Sequence, residues 1–332
     1  MTAAGELLSE EIRRHGPVTF HRFMEVALYH PEHGYYRRRP SAWDDPFGIR
    51  GDFFTAEQIQ PVFGILMATA VRRLYREMGE PRDFIVVELG AGRREMAEAF
   101  GEWPYIPVEI DGGRLPEKFI GVVFANEFFD ALPVDVALYE GGSFRERLVG
   151  LAGGRFVWET GAAVRGEVDD YLRRYFPPPE EGRVYEANLE AMRWMERIAR
   201  SLHAGYAITI DYGYTRAESL RFPAGTLMGY RRHTARENVL EDAGGRDITA
   251  HVNFTALEER AGACGLRSQP LETLAHMLLR AGEEDQFAAA LGAGDAADQL
   301  RRRMQLKTLL FGMGEAFRVL WQRREGEPEG VA

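Results

Sequence analysis

The chain has 332 residues, 45% of them hydrophobic and 28% charged, the composition of a globular protein with room for one large domain or two. Forty-one basic side chains against 51 acidic ones leave a formal charge of −10, which argues against general affinity for nucleic acid or anionic membranes. Cys264 is the only cysteine, so an intrachain disulfide and a cysteine-based metal site are excluded.

Residues 4–15 carry a helical pattern that stops at Gly16-Pro17, and a second helix is predicted over 20–28, ending before His30-Pro31. Residues 35–51 mix aromatic, arginine, proline and aspartate side chains and read as a structured loop. A helix over 56–78 leads to the linker Glu80-Pro81-Arg82-Asp83. Together these make an N-terminal helical segment, 1–82, packing on a core, 83–332. From Phe84 strand and helix alternate, as in a parallel α/β sheet. Strands are predicted at 84–89, 105–110, 120–125 and 204–210, with a helix at 94–101.

Residues 134–160 break that pattern: three short strands separated by Gly141-Gly142 and Gly153-Gly154 read as an antiparallel insertion. Helices are predicted at 186–203, 254–263, 284–291, 295–305 and 312–323. Residues 212–253 have little periodicity, and a loop of that length suits a cap over a site. Arg37-Arg38-Arg39 and Arg301-Arg302-Arg303 read as solvated faces. No apolar run reaches membrane-spanning length, and residues 1–16 lack a secretory h-region. The expectation is a soluble, cytoplasmic protein.

The stretch Ile85-Val86-Val87-Glu88-Leu89-Gly90-Ala91-Gly92 is the most informative. A buried strand that turns at two glycines delivers bare backbone, and the free N–H groups beyond it, to a nucleotide-like ligand. Glu109 ends the next strand 19 residues after Gly90, near the interval at which an acid meets ribose hydroxyls. The alternative is a carboxylate that only solvates a strand end. The third strand runs into Asn126-Glu127-Phe128-Phe129-Asp130-Ala131-Leu132-Pro133. Ligands of such sheets bind beyond the carboxyl ends of the strands, so Asn126, Glu127 and Asp130 are candidates for holding a cationic or amide nitrogen; a polar helix cap is the other reading. Asp211 and Tyr212, ending the fourth strand, are candidates for lining the substrate side. HExxH, GxSxG and GxxxxGK[ST] patterns are all absent, which disfavours zinc hydrolase, serine hydrolase and kinase chemistry; no metal site is expected. A nicotinamide oxidoreductase would share the glycine turn and the acid but leaves Asn126–Pro133 unexplained.

The ordered motifs resemble the MidA-like family of S-adenosylmethionine-dependent methyltransferases, which includes mitochondrial complex I assembly factors that methylate protein arginine. They are Gly16-Pro17, Phe23-Met24, Pro31, Gly34-Tyr35-Tyr36, Gly51-Asp52-Phe53 with Thr55, Val87-Glu88-Leu89-Gly90, Asn126–Pro133, Ile210-Asp211-Tyr212-Gly213, Asp247–Phe254 and Gly314-Glu315-Ala316-Phe317. The resemblance runs from about residue 5 to 325. It implies a class I, Rossmann-like α/β fold with a reversed last strand, and S-adenosyl-L-methionine as cofactor. It implies that Glu88, Gly90 and Gly92 form the cofactor-binding stretch, with the glycines against the methionine part, and that Glu109 takes the ribose. Gly51, Asp52 and Thr55 would cover the cofactor. A protein substrate, by resemblance a respiratory-complex subunit, would present arginine or another nitrogen. Glu127 and Asp130 would hold its guanidinium by charge-assisted hydrogen bonds, with Asn126 and Asp211 completing the catalytic set. Two departures stand out: Arg94 replaces an expected glycine, and residues 111–119 are too few for a helix and a strand. An inactive fold serving as an assembly factor is the alternative they raise.

Overall fold

The computed structural model describes residues 1–37, 56–109, 112–231 and 234–326. The chain divides into two compact units, each made of three stretches: 1–54, 130–192 and 214–255 form one, and 55–129, 193–213 and 256–332 form the other. This division differs from the expected boundary at residue 82, because the segments 134–160 and 212–253 group with the N-terminal helices.

The second unit holds the α/β sheet. Its strands lie in the order Tyr105–Val108, Phe84–Leu89, Phe119–Asn126, Leu202–Tyr214, Phe317–Arg324 and Arg267–Ser268. The first four run parallel, and Phe317–Arg324 lies antiparallel against Leu202–Tyr214, pairing Phe317 with Tyr212 through Arg324 with Gly205. Four parallel strands with a reversed strand beside them make the class I, Rossmann-like sheet that the resemblance implies. Helix Val62–Glu77 follows Pro61, which a first turn tolerates for want of an N–H partner. Val62, Phe63, Leu66, Met67, Ala70, Val71 and Leu74 recur at helical spacing and form one buried face. That face shares a core with Val86, Val122, Phe124, Ile208 and Trp321 of the sheet, and with Leu274, Met277 and Leu278 of helix Leu274–Glu283.

The first unit begins with helix Ala3–His15, whose Thr2 cap accepts from Gly5 N at 3.1 Å and which stops at Gly16, φ +87. Helix Phe20–Tyr29 is capped likewise by Thr19. Both pack on an antiparallel sheet ordered Val18–Thr19, Ser143–Ala152, Asp135–Glu140 and Val184–Ala187, with Arg155–Ala163 also paired to Ser143–Ala152. The Gly141-Gly142 and Gly153-Gly154 turns take φ between +57 and +79, the left-handed geometry of tight hairpins. Leu8, Phe20, Phe23, Met24, Val136, Val149 and Ile248 fill this unit's core.

Several expected elements are corrected. Residues 94–101 form successive hydrogen-bonded turns, not a helix, since Arg94 leaves helical backbone at φ +62. The helix expected at 186–203 is strand Val184–Ala187 followed by helix Leu189–Ser201. Helix Leu274–Glu283 was not anticipated, and only Ala288–Leu291 of 284–291 is helical. Residues 212–253 contain a sheet of Met228–Arg231, Thr234–Arg236 and Asp247–Thr249. The helix expected at 312–323 is instead the π-helical Thr308–Met313 and strand Phe317–Arg324, because pairing with Leu202–Tyr214 overrides the local pattern.

Candidate active site

Sheet register brings most of the predicted residues of the second unit to one rim. Leu89 pairs with Val108 on one side and with Ala125 on the other, so Gly90 and Glu109, each just beyond its strand, and Asn126, the last residue of the third, come level with one another. Asn126 in turn pairs with Ile210, which places Glu127 and Asp211 at the same end. Asp130 belongs to the first unit, and Gly51, Asp52 and Thr55 lie outside the described residues.

The glycine turn is built as a cradle. Gly90 takes φ +68 and Gly92 φ +51, which only glycine adopts without cost. A Cβ on Gly90 would meet Phe128 Cδ2 at 3.1 Å, and the Phe128 ring stands edge-on to Trp194, 5.1 Å between centroids. Gly90 N donates to Val108 O at 2.9 Å, tying the turn to the second strand. Gly92 N donates to Glu109 Oε1, so the carboxylate at the second strand's end reaches the turn itself. Arg93 and Arg94 are exposed.

Glu88 is fully buried below the turn and accepts from Tyr105 OH. Its carboxyl also meets that of Glu57, from the short 3-10 helix Ala56–Gln58. Burial is the largest cause that raises both, Glu88 to about 7 and Glu57 well above the usual range; Glu127 and Glu95 add repulsion at Glu57, and Glu95 and Glu109 at Glu88, while its bonds to Tyr105 and Glu57 favour the ionised form. Two carboxyls in hydrogen-bond contact hold a proton between them. Sequence reasoning missed Glu57 and Tyr105, since nothing in the spacing announces a carboxyl pair formed across 31 residues.

Glu127 holds a left-handed backbone, φ +50. Its N–H donates to Ile210 O at 2.9 Å, and its Oε1 accepts from Ala56 N and Asn126 Nδ2, both at 3.3 Å. Asn126 is buried, and its Oδ1 meets no donor among the described residues. Asp211 is fully buried; one oxygen accepts from Phe129 N at 3.0 Å and the other from Tyr212 N at 2.8 Å, so it fastens the Asn126–Phe129 segment to the fourth strand. In the first unit, Asp130 is buried and its carbonyl accepts from Ala250 N at 2.9 Å. Tyr36 OH donates to Asp247 Oδ1 at 2.7 Å; burial, reinforced by Asp247, Tyr29 and Asp130, holds that phenol well above its ordinary value.

The donor set suits a cofactor that carries hydroxyls and a cationic centre. The turn leaves backbone bare, Glu109 supplies a half-buried acceptor beside it, and Asn126 Oδ1 has acceptor capacity to spare. Among the described residues no cluster of His, Cys, Asp and Glu could hold a metal ion, and no helix is long and apolar enough to cross a membrane.

Comparison with known proteins identifies the family. Residues 102–271 match the model of a family described as S-adenosyl-L-methionine-dependent methyltransferase. The human protein arginine methyltransferase NDUFAF7, mitochondrial, is 35% identical over 325 residues, covering 76% of this chain and 68% of its own. The Drosophila melanogaster homolog is 27% identical, covering 78% of this chain and 70% of its own. A structure from Burkholderia thailandensis bound to S-adenosyl-homocysteine superposes with a TM-score of 0.82 at 28% identity, covering 98% of this chain and 93% of that one.

Proposed function

This chain belongs to the S-adenosyl-L-methionine-dependent methyltransferase family, and we propose that its acceptor is a nitrogen of a protein side chain, arginine first. It is a methyltransferase with S-adenosyl-L-methionine as its cofactor, so the inactive-fold alternative is not taken further. When bound, the cofactor supplies an electrophilic methyl group on a sulfonium. Gly90 and Gly92 would hold its methionine part and Glu109 its ribose.

The observation that carries the acceptor reading is the Glu127 carboxylate. Ala56 N and Asn126 Nδ2 fix its Oε1 at the end of the sheet, and a carboxylate so placed is the natural partner of a planar guanidinium. Asp211 acts through the segment it fastens and positions Glu127 rather than touching the acceptor. Such a site works by orientation, bringing an acceptor lone pair into line with the methyl group while excluding water. The relatives named as protein arginine methyltransferases support this choice, and a respiratory-complex subunit is the first acceptor to try.

Titration calorimetry with S-adenosyl-homocysteine is expected to give saturable heat, abolished by Gly90→Val through its press on Phe128 and a left-handed backbone that a β-branched residue resists. No heat and no thermal shift at millimolar ligand would overturn the site. Glu127→Gln should lower kcat on the order of 10²-fold with cofactor affinity within about twofold. Mass spectrometry of the methylated product settles the acceptor: label on oxygen or carbon, and none on nitrogen, overturns the reading.

A further inference from the structure

The Arg301-Arg302-Arg303 run has no part in the site above, yet it lies on an unusual surface. Helix Ala296–Lys307 buries none of its own residues and continues into the π-helical Thr308–Met313. Leu300 is 60% exposed, Met304 55% and Phe311 80%. Leu300 and Met304 stand one turn apart and so share a face, with Lys307 a further turn along. Large apolar side chains grouped in this way mark a contact surface more often than isolated ones do. Residues 296–313 carry four basic side chains and one acidic one, in a chain whose net charge is −10. Arg301 is paired with Asp298, and Arg302 donates to Ala290 O at 3.1 Å. Arg303 and Lys307 have no hydrogen-bond or ion-pair partner among the described residues.

The helix that carries this face is joined, through its half-buried side, to the segment beside the second unit's part of the candidate site. Gln305 Nε2 donates to Gln60 O at 2.5 Å. Four residues before Gln60, Ala56 N holds Glu127 Oε1, and Glu57 beside it meets Glu88. One short segment therefore links the exposed helix to the carboxylate assigned to the acceptor.

We propose that this helix face docks the protein substrate through an acidic segment bearing an apolar stripe. The proposal rests on the protein-nitrogen reading given above. Its charge calls for an acidic partner, and a second copy meeting it through the same face would bring like charges together. Continuity with Glu127 favours a protein that threads its acceptor from the helix to the site over a lipid surface, which has nothing to deliver there.

The test uses the full chain and a fluorescein-labelled 20-residue amphipathic peptide, with leucines on one face, glutamates on the other and one central arginine. A counterpart with lysine for glutamate is the control. Anisotropy should show binding of the acidic peptide alone, weakening as salt rises and falling about tenfold in the double variant Leu300→Asp, Phe311→Asp. S-adenosyl-homocysteine affinity should stay unchanged in that variant, so loss of docking is separable from loss of the cofactor site. Equal binding of both peptides, or an unchanged double variant, overturns the proposal. So does binding to phosphatidylcholine–phosphatidylserine vesicles without peptide binding, which would assign the face to lipid. A dimer broken by Phe311→Asp, again without peptide binding, would assign it to a second copy.

Discussion

Arg94 occupies left-handed backbone at φ +62, next to glycines that reach φ +68 and +51 in the same turn. That conformation costs an L-residue about 1–2 kcal/mol, and the extra freedom of an unfolded glycine gives back about 0.4–1 kcal/mol. Arg94→Gly should therefore stabilise the protein by about 0.5–1 kcal/mol in urea denaturation; a loss would mean that the arginine side chain contributes more than its backbone costs. The buried pair Glu57–Glu88 makes a second prediction at this scale. A carboxyl raised on folding is protonated in the folded chain while already ionised in the unfolded one. Its contribution is thus complete below the ordinary value of 4.5 and is lost as pH rises through about 7. Glu88→Gln should flatten the fall in stability between those limits. Glu186, also raised to about 7 by burial, is present in both proteins, so the difference between the two curves reports the Glu57–Glu88 pair. Superimposable curves would sink the assignment. Arg94 stood out in the sequence as a departure from an expected glycine, but its backbone angle did not, and Glu57 is an ordinary letter until a distant carboxyl gives it meaning. Gly90, Gly92 and Glu109 were readable as a turn and a neighbouring acid because strand, turn and acid follow one another at fixed intervals.

The parallel strands could be read for a similar reason. Val86, Val87, Val122 and Val123 lie in strands covered on both faces, and such strands write themselves as unbroken apolar runs. Phe317–Arg324 could not be read so, because its arginines and glutamine mask a strand whose identity comes from its neighbour. Register across the centre is close. Ile85, Gly121 and Gly205 pair side by side, and a Cβ on Gly121 would fall 1.9 Å from Ile85 O, as one on Gly205 would from Gly121 O. Gly121→Ala must push two strands apart and should cost about 3 kcal/mol or more, read as a lowered urea midpoint. An unchanged midpoint would show that the strands part freely at this point.

At the scale of the molecule, both units are assembled from separated stretches of chain. The N-terminal helices are part of the first unit's core. Phe20 packs on Trp158 with centroids 5.0 Å apart and Phe23 meets Phe156 edge-on at 5.3 Å. Deleting residues 1–29 should leave the 135–163 strands without their cover, lose near-UV dichroism from that unit and bind a hydrophobic dye. Cooperative unfolding like that of the full chain would show the helices to be dispensable.

The pairing of Val18 with Val149 carries a consequence for how the protein is made. The first strand leaves the ribosome about 130 residues before its partner exists. At about 5–20 residues per second, the apolar faces of the first two helices wait on the order of ten seconds for the surface that covers them. Closure of Phe317–Arg324 onto Leu202–Tyr214 must wait for nearly the whole chain. Folding dominated by such distant partners is slow, and the uncovered faces of helices Ala3–His15 and Phe20–Tyr29 are what a chaperone would hold in the interval.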